Sequence, residues 1–156
     1  MMSIRHVIAS PVSGRTIPLD QVDDEVLSSG LVGEGQAIEP SDGTVLSPAD
    51  GRIVRMASTK HAFCMLTDDG LEVLVHVGID TVGLAGEPFE AKAATGDHVT
   101  CGDVVMKADL ESIRQQGISA LTSVLITNYD DDEEVTAVQS ASDEIRAGDP
   151  LLVVCK

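Results

Sequence analysis

Two histidines carry most of the chemistry this chain could do. His76 lies in Leu71-Glu72-Val73-Leu74-Val75-His76-Val77-Gly78-Ile79-Asp80, between the turn residues Asp68-Asp69-Gly70 and Gly83. The run is rich in β-branched and apolar residues and reads as a strand. Alternate side chains of a strand share a face. Val73, Val75, Val77 and Ile79 therefore form an apolar face that must be core, and Glu72, Leu74, His76, Gly78 and Asp80 form the other. On that second face an imidazole stands beside a residue with no side chain, between an apolar Leu74 and an acidic Asp80. Such a setting suits a nucleophile that meets another protein. It also suits a hydrogen-bonded histidine on a solvated strand face. The second histidine, His61, follows Ser58-Thr59-Lys60 and opens the apolar run Ala62–Leu66. Thr59 precedes it by two positions and is expected on the same strand face. A hydroxyl there could bond one ring nitrogen of His61 and fix its tautomer.

The strands over 62–67 and 71–77 are joined by the short Asp68-Asp69-Gly70 turn and should form an antiparallel hairpin. Pairing about a turn centred near Asp69 sets Cys64 or Phe63 opposite Leu74 or Val75. His61 then falls near or just beyond His76. Two imidazoles brought together could bind a metal, although two ligands leave a zinc site open. They could instead act in covalent catalysis, one as nucleophile and the other stabilising the developing charge. Or they could be two unrelated surface histidines. His6, in the N-terminal arm, and His98, in a turn, read as incidental.

The elements that must position these residues look all-β. Turn dipeptides recur along the chain, among them Ser13-Gly14, Ser41-Asp42-Gly43, Asp69-Gly70, Gly96-Asp97, Gly102-Asp103 and Gly148-Asp149. Between them lie short apolar segments, as in an antiparallel sandwich or barrel-sandwich. Strands are expected over 44–47, 51–56, 62–67, 71–77, 98–99, 103–108, 123–127 and 150–154. One helix is expected over 110–116, capped by Asp109 and stopped by Gly117, and at most one or two short helices in all. In several turns Gly stands beside Asp just before an apolar strand. Glycine permits positive φ there, and Asp can bond the backbone of its own turn. Such turns are frequent in small flattened sandwiches.

The 156 residues suggest one domain over 1–156, with 1–9 as a loose arm. Hydrophobic residues make up 43% and aromatics only 2%, so Val, Ile, Leu, Ala and Met must build the core. Twenty-six acidic against 10 basic residues give a net charge of −16. That field repels phosphate backbones and anionic lipids, and argues against nucleic-acid and membrane-surface binding. The acidic run 130–134 is expected to be a solvated loop or the acidic start of a helical turn. Cys64, Cys101 and Cys155 are too far apart for a Cys-x-x-Cys pair and read as small buried hydrophobes. No signal peptide is read and no apolar run approaches a membrane span, so a soluble, cytoplasmic chain is expected. There is no phosphate-binding glycine loop, no dinucleotide fingerprint and no serine-nucleophile elbow. Lys107 is a poor candidate for biotinylation, because it falls inside a strand.

Several segments also occur in the order of a known family. They are Ser10-Pro11-Val12-Ser13-Gly14, Val32-Gly33-Glu34-Gly35-Gln36-Ala37-Ile38-Glu39-Pro40, Ser47-Pro48-Ala49-Asp50-Gly51, Thr59-Lys60-His61-Ala62, Val75-His76-Val77-Gly78-Ile79-Asp80-Thr81-Val82, and Phe89 after Gly86-Glu87. From about residue 10 to the C-terminus the chain resembles the glucose-type enzyme IIA of the phosphoenolpyruvate-dependent sugar phosphotransferase system. The resemblance implies an antiparallel β-sandwich. It implies that His76 accepts a phosphoryl group on Nε2 from the phosphocarrier HPr and passes it to a cysteine of a sugar-specific enzyme IIB. His61 would hydrogen-bond the phosphoryl group and Thr59 would orient His61. Asp80 would be a nearby carboxylate and Asp24 an acidic interface position.

One member of that family has phenylalanines around the site at the places of Leu27, Ala57 and Leu74. Here Leu27, Leu31, Val32 and Leu74 keep the patch apolar, with Gly78 allowing close approach. No cofactor is required; an accessory zinc at His61 and His76 would need a partner's ligand. A monomer is expected, working with separate IIB and IIC partners. The alternative role is a regulatory module whose docking to permeases or metabolic enzymes is switched by phosphorylation of His76.

Overall fold

The apolar segments between turns do become strands, and almost nothing else. The structure, a computed structural model, describes residues 5–18, 33–78, 87–128, 134–137 and 144–155. In chain order its elements are β1 (Arg5–Ala9), β2 (Gly14–Pro18), β3 (Glu34–Pro40), β4 (Thr44–Leu46), β5 (Gly51–Met56), β6 (Ala62–Thr67), β7 (Glu72–Val77), β8 (Phe89–Ala91), β9 (His98–Val99), β10 (Val104–Ala108), α1 (Leu110–Gln115), β11 (Thr122–Ile126), β12 (Glu134–Ala137), β13 (Glu144–Ile145) and β14 (Pro150–Cys155).

The largest sheet has eight strands in the order β13-β2-β3-β11-β7-β6-β5-β9, and two three-stranded sheets run β1-β14-β12 and β4-β10-β8. The pairs of the large sheet are antiparallel throughout. One face of this sheet is core. Val73, Val75 and Val77 are buried with Ile53, Met65, Val124 and Ile126 in the main cluster, which Ile8, Val105, Met106 and Leu151 of the smaller sheets also join. Each fully buried Val, Leu or Ile side chain contributes roughly 1.5–3 kcal/mol relative to exposure.

Three Gly-Asp turns share one construction, at Gly96-Asp97, Gly102-Asp103 and Gly148-Asp149. In each the glycine has φ near +95°. In each the Asp backbone N–H donates to the carbonyl three residues earlier, at 2.9–3.0 Å, and its carboxylate accepts from that residue's N–H. An L side chain at that φ would be strained. The helix α1 begins where expected, with the Asp109 carboxylate accepting from the Ser112 N–H at 3.1 Å, and it seats Ile113 in the core.

Three expectations are corrected. Arg5–Ala9 is not part of a loose arm but β1, paired antiparallel with β14. Alternate residues explain it: Ile8 is buried while Val7 faces solvent. Cys101 is exposed rather than buried, and Cys64 and Cys155 are half-buried. The last residue of the acidic run, Glu134, begins β12 rather than a loop; residues 130–133 lie outside the described residues. His6 and His98 both stand against the β6–β7 turn. His6 Nδ1 lies 3.3 Å from Asp69 Oδ2 and His98 Nε2 lies 3.3 Å from Asp68 Oδ1. The His98–Asp68 pair is exposed on both sides, and surface pairs of that kind stabilise by about 0–1 kcal/mol.

Candidate functional site

The hairpin register decides the site. β6 pairs with β7 so that Phe63 faces Val75, Cys64 faces Leu74 and Ala62 faces His76. His61 is one residue beyond, and its carbonyl accepts the Val77 N–H at 2.8 Å. The two imidazoles meet as expected, with ring centroids 4.9 Å apart and planes at 78°. On the other side of β7, Ser123 of β11 stands opposite His76, and Ala37 of β3 stands opposite Ser123. His76 thus sits in a row of small residues, Ala62, Ser123 and Ala37.

The orientation of His76 is set by its own chain. Its Nδ1 lies 2.8 Å from the carbonyl oxygen of Gly78. A carbonyl oxygen only accepts, so Nδ1 carries the proton, and in the neutral ring Nε2 carries the lone pair. Gly78 can present its carbonyl this way because its φ is +86°. Its N–H donates to Leu121 at 2.9 Å, tying it to the strand next door. Sequence reasoning assigned Gly78 to close approach. Its carbonyl is what meets the His76 ring, and no sequence pattern marks a backbone acceptor.

His61 is buried, with 9% of its surface exposed. Thr59 Oγ1 is hydrogen-bonded to His61 Nδ1. The contact was expected from strand alternation but comes from a turn, since Thr59 and His61 precede β6. Burial, and then the neighbouring His76, push the His61 pKa below its ordinary 6.5, so the ring is neutral at pH 7. The buried ring of Phe89 lies 6.5 Å from His61, at 53°.

Leu74 shares the His76 face and packs with Ile17 against the buried trio Ala37, Leu121 and Leu125. This is a second, smaller apolar cluster beside the imidazoles. Leu121, Leu125 and Ile17 were not singled out from sequence; Leu125 and Ile17 join the site through strand pairing, and Leu121 through its carbonyl's bond to the Gly78 N–H. Ala57 is half-buried at the start of the turn that carries Thr59. Asp24, Leu27, Leu31, Val32 and Asp80 lie outside the described residues. Cys64, on the same face, is not a competing nucleophile. Burial and the neighbouring Glu72, whose Oε1 lies 3.6 Å from the sulfur, push its thiol up to about 11, so the thiolate is scarce at neutral pH. Among the described residues, no group of three or more His, Cys, Asp or Glu could hold a metal ion. No helix among them is long and apolar enough to cross a membrane.

Residues 6–132 match the family model described as phosphoenolpyruvate-dependent sugar phosphotransferase system, EIIA 1. The chain is 37% identical over 142 residues to a glucose-specific EIIA component of Oceanobacillus iheyensis, covering 91% of this chain and 85% of that one. It is 43% identical over 126 residues to a beta-glucoside-specific EIIBCA component of Bacillus subtilis, covering 81% of this chain but spanning only 21% of that longer protein. Its structure superposes on glucose permease IIA from Mycoplasma capricolum with a TM-score of 0.87 at 32% identity, covering 96% of both chains. The chain therefore belongs to the EIIA 1 family of the phosphoenolpyruvate-dependent sugar phosphotransferase system, as a component of the glucose type.

Proposed function

We propose that the chain is a phosphoryl carrier. His76 Nε2 accepts the group from the phosphohistidine of HPr and passes it to a cysteine of a sugar-specific enzyme IIB. The observation that carries this reading is the 2.8 Å bond between His76 Nδ1 and the Gly78 carbonyl. It holds the ring in the tautomer whose nucleophilic nitrogen is Nε2.

In the first step the Nε2 lone pair attacks phosphorus in line. The N–P bond of the donor breaks and its electron pair returns to the donor imidazole. The His76 ring becomes cationic, and the Gly78 carbonyl, already bonded to Nδ1–H, lies where that charge is best stabilised. In the second step the acceptor's thiolate attacks phosphorus, and Nε2 leaves with its pair as a neutral ring. Transfer of this kind is a matter of positioning and charge stabilisation.

His61 supplies stabilisation when Thr59 donates its hydroxyl proton to Nδ1, which leaves Nε2–H as a donor to a phosphoryl oxygen. Its lowered pKa suits that task, because a fixed neutral donor takes up no proton in the cycle. The apolar residues Leu74, Ala62 and Phe89 limit access of water to the phosphohistidine. Two imidazoles are an incomplete shell for zinc, so an accessory zinc would need a carboxylate from the partner and supplies no step here.

The test is transfer from phosphoenolpyruvate through enzyme I and HPr. Wild type should gain an acid-labile, alkali-stable phosphoryl group, and His76→Gln should gain none. His61→Gln should be labelled but pass the label on slowly. A His76→Gln chain that still accepts the group sinks the reading.

The small apolar cluster around Leu74 supports a second role, as a docking surface for permeases or metabolic enzymes. Phosphorylation would place about two negative charges beside it and disfavour docking. Equal capture of such a partner by both phosphorylation states would remove the switch.

A further inference from the structure

Lys60 is the only residue other than glycine with positive φ among the described residues, at +59°. It lies between Thr59 and His61, in the turn that joins β5 to β6. The turn is closed by the Lys60 N–H donating to the Ala57 carbonyl at 2.8 Å and by the Ala57 N–H donating to the Ala62 carbonyl at 3.0 Å. The Lys60 side chain is exposed, so its packing does not impose this conformation.

The conformation has a geometric consequence. In an extended strand, residues two apart point the same way but lie roughly 6.5–7 Å apart. A threonine hydroxyl and an imidazole nitrogen would barely meet across that gap. A left-handed residue between them turns the chain and draws the two side chains together, as the Thr59–His61 hydrogen bond records. Left-handed backbone is open to Gly, tolerated by Asn and disfavoured by β-branched side chains. Strain kept in a tight turn beside reacting groups is a mark of positioning.

We propose that Lys60 is a positioning residue for phosphoryl transfer. Its left-handed backbone, rather than its charge, holds Thr59 against His61 Nδ1 and so keeps His61 Nε2–H aimed at the phosphoryl group on His76. The inference rests on the carrier reading for its effect on rate, but its effect on the His61 tautomer can be read without any partner.

Four variants separate backbone from charge: Lys60→Gly, Lys60→Asn, Lys60→Met and Lys60→Val. The tautomer of His61 is read from imidazole nitrogen-15 shifts, and transfer from the phosphorylated chain to enzyme IIB is followed in single turnovers. Gly, Asn and Met should keep one His61 tautomer and a rate within about threefold of wild type. Val should give mixed tautomers and slow onward transfer by about tenfold or more, through kcat rather than KM. A Val variant with wild-type shifts and rate overturns the proposal. So does a Met variant as slow as Val, which would make charge the cause. Should Val fail to fold, the Gly variant decides, because it relaxes the strain and keeps the turn. Loss of the Thr59–His61 tautomer in Gly is equally contradictory. If the wild-type chain accepts no phosphoryl group, the carrier reading fails, and the nitrogen-15 comparison still tests the role of Lys60.

Discussion

The Nδ1 nitrogen of His76 and the carbonyl oxygen of Gly78 are 2.8 Å apart, and the positive φ of Gly78 puts that carbonyl there. A side chain at residue 78 would act on the His76 ring without touching it. Gly78→Ala should cost about 1–2 kcal/mol of stability, the penalty of a left-handed L-residue. It should also slow phosphoryl uptake by about tenfold, as the ring loses its fixed tautomer. Urea unfolding and uptake kinetics measure the two effects; unchanged uptake would show that the carbonyl does not aim the ring.

His61 has a folded pKa below its ordinary 6.5. Between that folded value and 6.5, the unfolded chain binds the proton that the folded chain refuses. Stability contributed by the neutral ring is therefore present above pH 6.5 and lost as pH falls below it. His61→Gln should flatten this part of the stability profile. A His61 ring that titrates above 6.5 by nuclear magnetic resonance contradicts the buried, neutral description.

Cys64 should behave as an inert thiol. Its pKa is pushed up to about 11 by burial and by Glu72, so alkylation of Cys64 should be slow at pH 8 and rise steeply only towards pH 11. Glu72→Gln removes the negative charge that helps raise the pKa, and should speed alkylation at a given pH. Mapping the labelled peptide reads this directly; a midpoint near 8.5 would mean that the sulfur sees neither burial nor Glu72.

The core behind the hairpin should tolerate little. Met65 of β6 is fully buried between the sheets, and Met65→Ala should cost about 2–5 kcal/mol. Chemical denaturation measures it, and a loss below about 1 kcal/mol would show that the neighbours collapse into the gap.

The hairpin was legible because a short turn and strict alternation fix register, and a slip of one residue would turn His76 into the core. The Val73, Val75 and Val77 face, the meeting of His61 with His76 and the Asp109 cap all follow from local pattern. β2 and β3 were not legible. Both end in proline, at Pro18 and Pro40, and carry glycine, at Gly14 and Gly35, so their composition reads as turn. β1 was missed because a five-residue strand at the chain's start declares itself only by pairing with β14 at the other end. In the site, Ser123 and Leu125 come from a strand distant in sequence, and the Gly78 carbonyl belongs to the backbone. Thr59 was linked to His61 correctly but for another reason, since the left-handed Lys60 rather than strand alternation joins them.

The central claim is that His76 Nε2 carries the phosphoryl group. Its most direct test is nitrogen-15 and phosphorus-31 spectroscopy of the chain after incubation with phosphoenolpyruvate, enzyme I and HPr. One phosphohistidine is expected, on His76, with phosphorus coupled to Nε2 and the proton retained on Nδ1. Phosphorus on Nδ1, on His61 or on any other residue would contradict it.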